Sequence, residues 1–325
     1  DKIVMPKVTV CIPVYGVEKY IARCVRSLFR QTLDDIEFIF VDDCTPDLSI
    51  EILKEIIEES KTLINEKKYI VRIERMPTNS GLAAVRRHGI QLATGDYITF
   101  CDSDDTIPQY AIETLYNAAL ESRADIVSGD MEWIFDDGSK KSIPISLPYG
   151  SDPESVYRAL LHKEYSHTLC SKLFSNGLLN GFEYTTLLHA TNGEDGMLFY
   201  QVLQHAKKVV HINKTIYDYY QNNQSSTHVR FKTNALNSII QLNKIRLNTC
   251  GKIESLKDDT WVYVSSVLNE LVGDGYNKDG TLKRIIHKEG MDEFINPFSM
   301  FLHYPFNIYV RTLIRRIIKP LFIRS

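Results

Sequence analysis

No Cys-x-x-Cys pair occurs in this chain, and its six cysteines, Cys11, Cys24, Cys44, Cys101, Cys170 and Cys250, lack the spacing of metal ligands. That excludes a zinc ribbon or a dithiol redox site and points to reduced thiols that serve packing in a cytosolic chain. Excess positive charge is also missing. Formal net charge is −3, so no global basic field suits nucleic acid. No Gly-x-Gly-x-x-Gly follows the first apolar run and no Gly-x-x-x-x-Gly-Lys-[Ser/Thr] occurs, which argues against a dinucleotide-dependent dehydrogenase and a P-loop NTPase. No signal peptide opens the sequence, although its first residue, Asp1, suggests a trimmed start. The longest late uncharged stretch, 294–310, is interrupted by Pro297, Pro305 and two asparagines, a poor membrane span.

What the chain does have is an apolar run that ends in acids. Tyr97 to Cys101 is rich in β-branched and aromatic residues and reads as a buried strand. It runs into Asp102-Ser103-Asp104-Asp105. Like charges held together oppose folding, and a hard cation such as Mg²⁺ or Mn²⁺, which needs few carboxylates and keeps sites for water and phosphate, is the usual compensation. The alternative is that these residues cap the helix beginning near Pro108, since Asp and Ser are common caps.

The remaining pattern alternates. Strands are expected at 8–12, 36–41, 69–73 and 125–129, with helices over 17–31, 48–63, 82–93 and 111–121. Alternation of this kind means right-handed βαβ units and a largely parallel sheet, with ligands beyond the carboxyl ends of the strands. The strand at 36–41 also ends in acids, Asp42 and Asp43. Both acidic pairs therefore fall on one sheet edge, together with Pro13 and Tyr15. Asp43 could instead form the turn before Pro46.

Five blocks carry a resemblance: Val-Thr-Val-Cys-Ile-Pro-Val-Tyr (8–15), Ser-Leu-Phe-Arg-Gln-Thr (27–32), Ile-Glu-Phe-Ile-Phe-Val-Asp-Asp (36–43), Asn-Ser-Gly-Leu-Ala-Ala-Val-Arg-Arg (79–87) and Gly-Asp-Tyr-Ile-Thr-Phe-Cys-Asp-Ser-Asp-Asp (95–105). In this order they resemble the bacterial family 2 glycosyltransferases, and weaker matches at 171–174, 193–195 and 217–226 extend the likeness to about residue 227. The resemblance implies a GT-A fold: a Rossmann-like, mostly parallel sheet flanked by helices. It implies a catalytic domain over 1–228 (1–130 binding the nucleotide sugar, 131–228 the acceptor) and leaves a helical C-terminal region over 229–325. It also implies inversion at the anomeric carbon, a divalent metal (Mn²⁺ or Mg²⁺), a nucleotide-sugar donor, usually a UDP-sugar, and a glycan or lipid-linked acceptor used in bacterial surface polysaccharide synthesis. By position, Pro13 and Tyr15 line the nucleoside pocket, Asp43 accepts the uracil N3–H, and Arg86 approaches the base or diphosphate. Asp102 and Asp104 form the DxD pair, Asp104 being the more direct metal ligand, and Asp195 is the catalytic base. Two departures stand out. Arg87 replaces a common Asn, and Cys44-Thr45-Pro46 replaces a common Gly-Ser-Thr, so the loop after Asp43 is expected to differ in shape.

Glu194 and Asp195 precede a helical pattern from Met197 to Leu203, so a bare capping role competes with the catalytic one. Lys172 sits in an apolar segment, where it either meets a phosphate or snorkels. Tyr217, Tyr219 and Tyr220 suit a strand with one face in the core, the other able to stack on a sugar. His189, His211 and His228 lack metal spacing; His228 is the one to test as an extra ligand or phosphate contact. Helices are expected at 236–247, 261–272 and 282–287. Over 306–321 an acid-free stretch with Arg311, Arg315, Arg316 and Lys319 sets Tyr309, Leu313, Ile317 and Leu321 on one helical stripe. It suits peripheral contact with the anionic inner face of the cell membrane or, equally, a protein partner such as a second copy of this chain. Two other functions fit carboxylates with a nucleotide: a sugar nucleotidyltransferase, whose usual glycine-rich basic loop Pro13-Val14-Tyr15-Gly16 is not, and a non-catalytic nucleotide-sugar-binding protein.

Overall fold

The computed structural model describes residues 5–143, 145–184, 190, 193–221, 233–273 and 280–295. The expected stripe at 306–321, together with His189, Asn192 and His228, lies outside the described residues. The chain divides into two compact units, Asp1–Leu242 and Asn243–Ser325.

The first unit is built on one mixed, eight-stranded sheet. Its first half is parallel, in the order β3 (Ile70–Arg75), β2 (Ile36–Asp42), β1 (Val8–Val14), β4 (Tyr97–Phe100). Helices α1 (Ile21–Phe29), α2 (Ser49–Glu59), α3 (Lys61–Glu66) and α4 (Leu82–Leu92) connect these strands. All seven residues of β2 are buried, as expected of a parallel strand covered on both faces. Phe38 packs edge-on against Phe29 and Tyr69, with ring centroids 5.4 and 5.1 Å away. Each such ring contributes about 1.5–3 kcal/mol by leaving water.

The second half runs antiparallel from β4 to β7 (Lys172–Ser175), then to β5 (Ile126–Ile134), which also pairs antiparallel with β6 (Lys140–Ile143) and parallel with β8 (Val209–Tyr220). Helices α5 (Ala111–Ser122), α6 (Pro153–Leu161), α7 (Asn176–Asn180) and α8 (Glu194–Leu203) complete this half. The sequence pattern foretold β1 to β5 and α8. It did not foretell β6, β7, α6 or α7.

One buried acid belongs to architecture alone. Glu37 accepts from the Thr9 hydroxyl (2.6 Å) and the Thr94 N–H (2.9 Å) and pairs with Arg72 at 3.4 Å. This network sits near the amino ends of β1 and β2, away from their acidic ends.

The second unit is helical. α9 (Thr233–Asn248) leads into it, and α10 (Lys257–Gly273) and α11 (Thr281–Lys288) follow, matching the helices expected near 236–247, 261–272 and 282–287. Trp261 packs on Phe294 at 5.6 Å, and Lys244 pairs with Glu289 at 2.6 Å. Among the described residues no helix is long and apolar enough to cross a membrane.

Close approach of backbones before β4 gives a stability test. A Cβ at Gly95 would lie 2.6 Å from the Thr9 nitrogen, whereas one at Gly177 would meet nothing within 4 Å. Gly95→Ala is expected to cost about 1–3 kcal/mol by overpacking, and Gly177→Ala to be neutral or stabilising, as read from urea midpoints.

Candidate active site

The strand registers bring the acidic ends together. Val14 pairs with Asp42, and Cys11 with Phe100, so the residues following β1, β2 and β4 share the carboxyl edge of the sheet. Pro13 is half-buried at the end of β1, and the Tyr15 ring just beyond it is 52% exposed, an open flat face on that rim.

Asp43 is buried, and its two oxygens accept the backbone N–H groups of Ser80 (2.7 Å) and Gly81 (2.9 Å). It thereby fixes the turn that launches α4. The local loop is tied instead by Asp42, which accepts the Thr45 N–H at 2.7 Å. Cys44 stands there at φ +57, in the left-handed region that glycine enters without strain. The cysteine thus holds a conformation suited to the glycine common in the resembled family.

α4 carries Arg86 into the centre of the site. Its buried guanidinium pairs with Asp102 at 2.9 Å, with Glu194 at 3.2 Å and, in very short contact, with Asp195. Burial opposes the charge, but Asp195 and Asp102 keep it firmly protonated. Asp195 also accepts the Leu169 N–H at 3.0 Å. Burial raises its pKa, with Arg86 pulling the other way. Glu194 is pushed up to about 7, first by burial and then by the charge of Asp195. Both side chains stand in the first turn of α8, whose N-cap is Gly193 at φ +86. They do more than sit at a helix start, since both carboxylates also pair with Arg86. Beside them a shallow depression is bordered by Arg86, Glu194, Arg87 and Tyr184.

The next helix, α5, begins after Tyr110 and is capped from elsewhere, its Ile112 N–H donating to Gln31 Oε1 at 3.2 Å. The acids after β4 are held from β8 instead. The buried Tyr217 hydroxyl accepts the Asp102 N–H (3.1 Å) and donates to Asp105 (2.8 Å), which also receives the Tyr220 N–H at 2.7 Å. Arg23 of α1 lies 3.3 Å above the Tyr220 ring and donates to the Asp104 carbonyl at 2.6 Å. A sugar-stacking role for Tyr217 is thus overturned by its burial. Sequence reasoning missed Arg23 and Asp105 as members of this clamp, and no local signal marks them.

His211 is an ordinary buried histidine: it bonds Ser128 (3.0 Å) and Asp130 (3.2 Å), and burial lowers its pKa. Lys172 neither snorkels nor faces open space, being fully buried.

Among the described residues no three His, Cys, Asp or Glu side chains converge to hold an ion alone. Asp102 and the half-buried Asp104 offer hard oxygen donors on one turn. That fits an Mg²⁺- or Mn²⁺-type ion completing its shell with water and substrate phosphates.

The raised Glu194 pKa sets a sign. The folded state binds this proton more tightly than the unfolded chain does, so the stabilisation is complete below about 4.5 and is lost as pH rises through about 7. Asp195 acts in the same direction. Urea midpoints between about pH 5 and 8 should fall more steeply in the native protein than in Glu194→Gln.

Comparison with known proteins gives the same identification. The family model described as Glycosyl transferase family 2 matches residues 9–175. Glycosyltransferase GlyA of Streptococcus pneumoniae is 35% identical over 224 residues, covering 66% of this chain and 30% of its own length. The poly(ribitol-phosphate) beta-glucosyltransferase of Bacillus spizizenii is 33% identical over 219 residues, 66% of this chain and 32% of its own. The chain thus spans about a third of these relatives. The putative glycosyltransferase EpsH of Bacillus subtilis is 30% identical over 82% of this chain and 77% of its own. In three dimensions S. aureus TarS in complex with UDP-GlcNAc aligns with a TM-score of 0.64 at 20% identity, over 82% of this chain and 73% of that one. The fold is GT-A-like, and the chain belongs to glycosyltransferase family 2.

Proposed function

We propose that this protein is an inverting, metal-dependent glycosyltransferase that moves a sugar from a UDP-sugar to a hydroxyl of a glycan or lipid-linked acceptor in bacterial surface polysaccharide synthesis. The observation that carries the reading is the Asp195 carboxylate, set by Arg86 and the Leu169 N–H beside Asp102 on the carboxyl edge of the sheet. TarS binds UDP-GlcNAc on a similar fold, and one relative acts on poly(ribitol-phosphate), which supports a nucleotide-sugar donor and an envelope polymer as acceptor.

In this mechanism the nucleoside lies on the rim formed by Pro13, Tyr15 and Asp43, with the Tyr15 ring against the base. Each Asp43 oxygen, already bonded to one backbone N–H, keeps a second lone pair for the uracil N3–H. Asp102 and Asp104 are the groups that would hold the cation, whose chemistry is to neutralise charge gathering on the departing diphosphate. Asp195 takes the proton of the acceptor hydroxyl as that oxygen bonds the anomeric carbon and the bond to the diphosphate breaks. Its raised pKa makes it a stronger base than an exposed aspartate. Arg86 keeps it oriented and ionised.

Asp195→Asn should lower transfer roughly 10²–10⁴-fold while leaving UDP binding and folding intact. Asp104→Ala should abolish transfer and the thermal stabilisation given by UDP with Mn²⁺. Following UDP release across a panel of donors and acceptors checks both. Transfer surviving either change would remove that residue's role. Pyrophosphate release from a nucleoside triphosphate would instead identify a nucleotidyltransferase, and UDP–Mn²⁺ stabilisation without turnover a binding protein.

A further inference from the structure

β7 opens with a lysine that water does not reach. Lys172 has 0% exposure, and lysines are almost never fully buried unless paired. Its ammonium donates to the Thr168 carbonyl oxygen at 2.6 Å and lies 5.0 and 5.2 Å from the ring centroids of Tyr165 and Phe199. The backbone between 168 and 172 turns through Ser171 at φ +64, unusual for a residue with a side chain. That turn lets the lysine reach back four positions.

The Thr168 carbonyl and the Leu169 N–H belong to one planar peptide unit. Its N–H end donates to Asp195 Oδ2 at 3.0 Å. Lys172 and Asp195 therefore hold opposite ends of a single peptide group. A carbonyl that accepts from a cation polarises its own amide, and hydrogen bonds linked in series strengthen one another where the dielectric is low. Burial lowers the Lys172 pKa to about 7, with the Asp195 charge drawing it back up. Protonated or neutral, the amine keeps an N–H to donate.

We propose that Lys172 is a positioning residue for Asp195: by anchoring and polarising the Thr168–Leu169 peptide it fixes the carboxylate against the acceptor hydroxyl. Arg86 holds the other oxygen, so the two contacts together set the plane of the carboxylate and leave lone pairs free toward the acceptor. This role rests on the reading of Asp195 as the base, and it gives a function to the Ser-Lys-Leu-Phe block at 171–174.

The test uses the full chain with Lys172→Met, which keeps the apolar stem and removes the donor, and Lys172→Arg, which keeps a cationic donor. The readouts are UDP release on a donor–acceptor pair the native protein turns over, the Kd for UDP with Mn²⁺, and Tm. Lys172→Met is expected to lower kcat about 10- to 100-fold, as a displaced catalytic group does. Donor KM and UDP Kd should stay within about twofold, Tm should be held or raised, and Lys172→Arg should recover part of the rate. In an Asp195→Asn background Lys172→Met should have no further effect, the mark of two residues acting as one unit. A kcat within about twofold of native, a joint loss of kcat, KM and Kd, additivity with Asp195→Asn, or failure of both variants to fold would each overturn the proposal. An Asp195→Asn protein that still transfers at the native rate would overturn the base reading itself, separately from any result at Lys172.

Discussion

Three carboxylates at the centre of this protein share one guanidinium. Asp102 comes from the end of β4, and Glu194 and Asp195 come from the first turn of α8, yet all three point at Arg86. Two unit charges about 4 Å apart interact by about 4 kcal/mol at the effective dielectric of a protein near its surface. Without Arg86, three acids so placed would repel one another or take up protons. Removing one member of a buried ion pair typically costs about 3–5 kcal/mol, and here the loss would strand several partners together. Arg86 is positioned in turn by α4, whose first turn hangs from the Asp43 carboxylate through Ser80 and Gly81. An acid at the end of one strand therefore sets the helix that organises acids from two other elements.

The opposite wall is held by a different device. β8 contributes Tyr217 and Tyr220, which fasten Asp105 and the Asp102 amide. Arg23 reaches from α1 to the Asp104 carbonyl. The Asp102–Asp105 turn is thus gripped from both halves of the first unit, and the side chains of Asp102 and Asp104 inherit their direction from groups far away in sequence. Burial, and then the charges of Asp104 and Asp102, raise the Asp105 pKa well above the usual carboxylate range. That strain is met by two donors rather than left open, as buried polar groups require.

These grips show what sequence conveys and what it does not. The acids ending β2 and β4 were legible because side-chain type and strand period are local, and the parallel-sheet rule turned two local signals into one edge. Arg86 and Asp195 entered by family likeness, and their mutual contact could not be read from a separation of 109 positions. β7 was illegible for a physical reason: it has four residues, one a lysine, and is stabilised by neighbours on both sides rather than by its own pattern. Cys44 illustrates the converse. Its departure from glycine suggests a changed loop; the backbone there has a left-handed φ and the thiol donates to the Met76 carbonyl at 3.2 Å. A tertiary contact thus accompanies a backbone conformation that residues with a side chain seldom adopt.

The adjoining Glu194 raises the question of which carboxylate serves as base on the proposed mechanism. A base must be ionised when the acceptor arrives. Glu194, desolvated and pushed up to about 7, is only partly charged near neutral pH, and Arg86 reaches it through one nitrogen at 3.2 Å. Asp195 has that same nitrogen in closer contact and the Leu169 N–H as well. Both contacts favour its anion and fix its direction. On the proposed mechanism these contacts favour Asp195 over Glu194 as the base. Each time Glu194 gains a proton, Arg86 is left to fewer anions and holds Asp195 more firmly. Burial raises the pKa of both acids, so it is geometry that separates them: one arginine nitrogen and one peptide N–H fix the direction of Asp195.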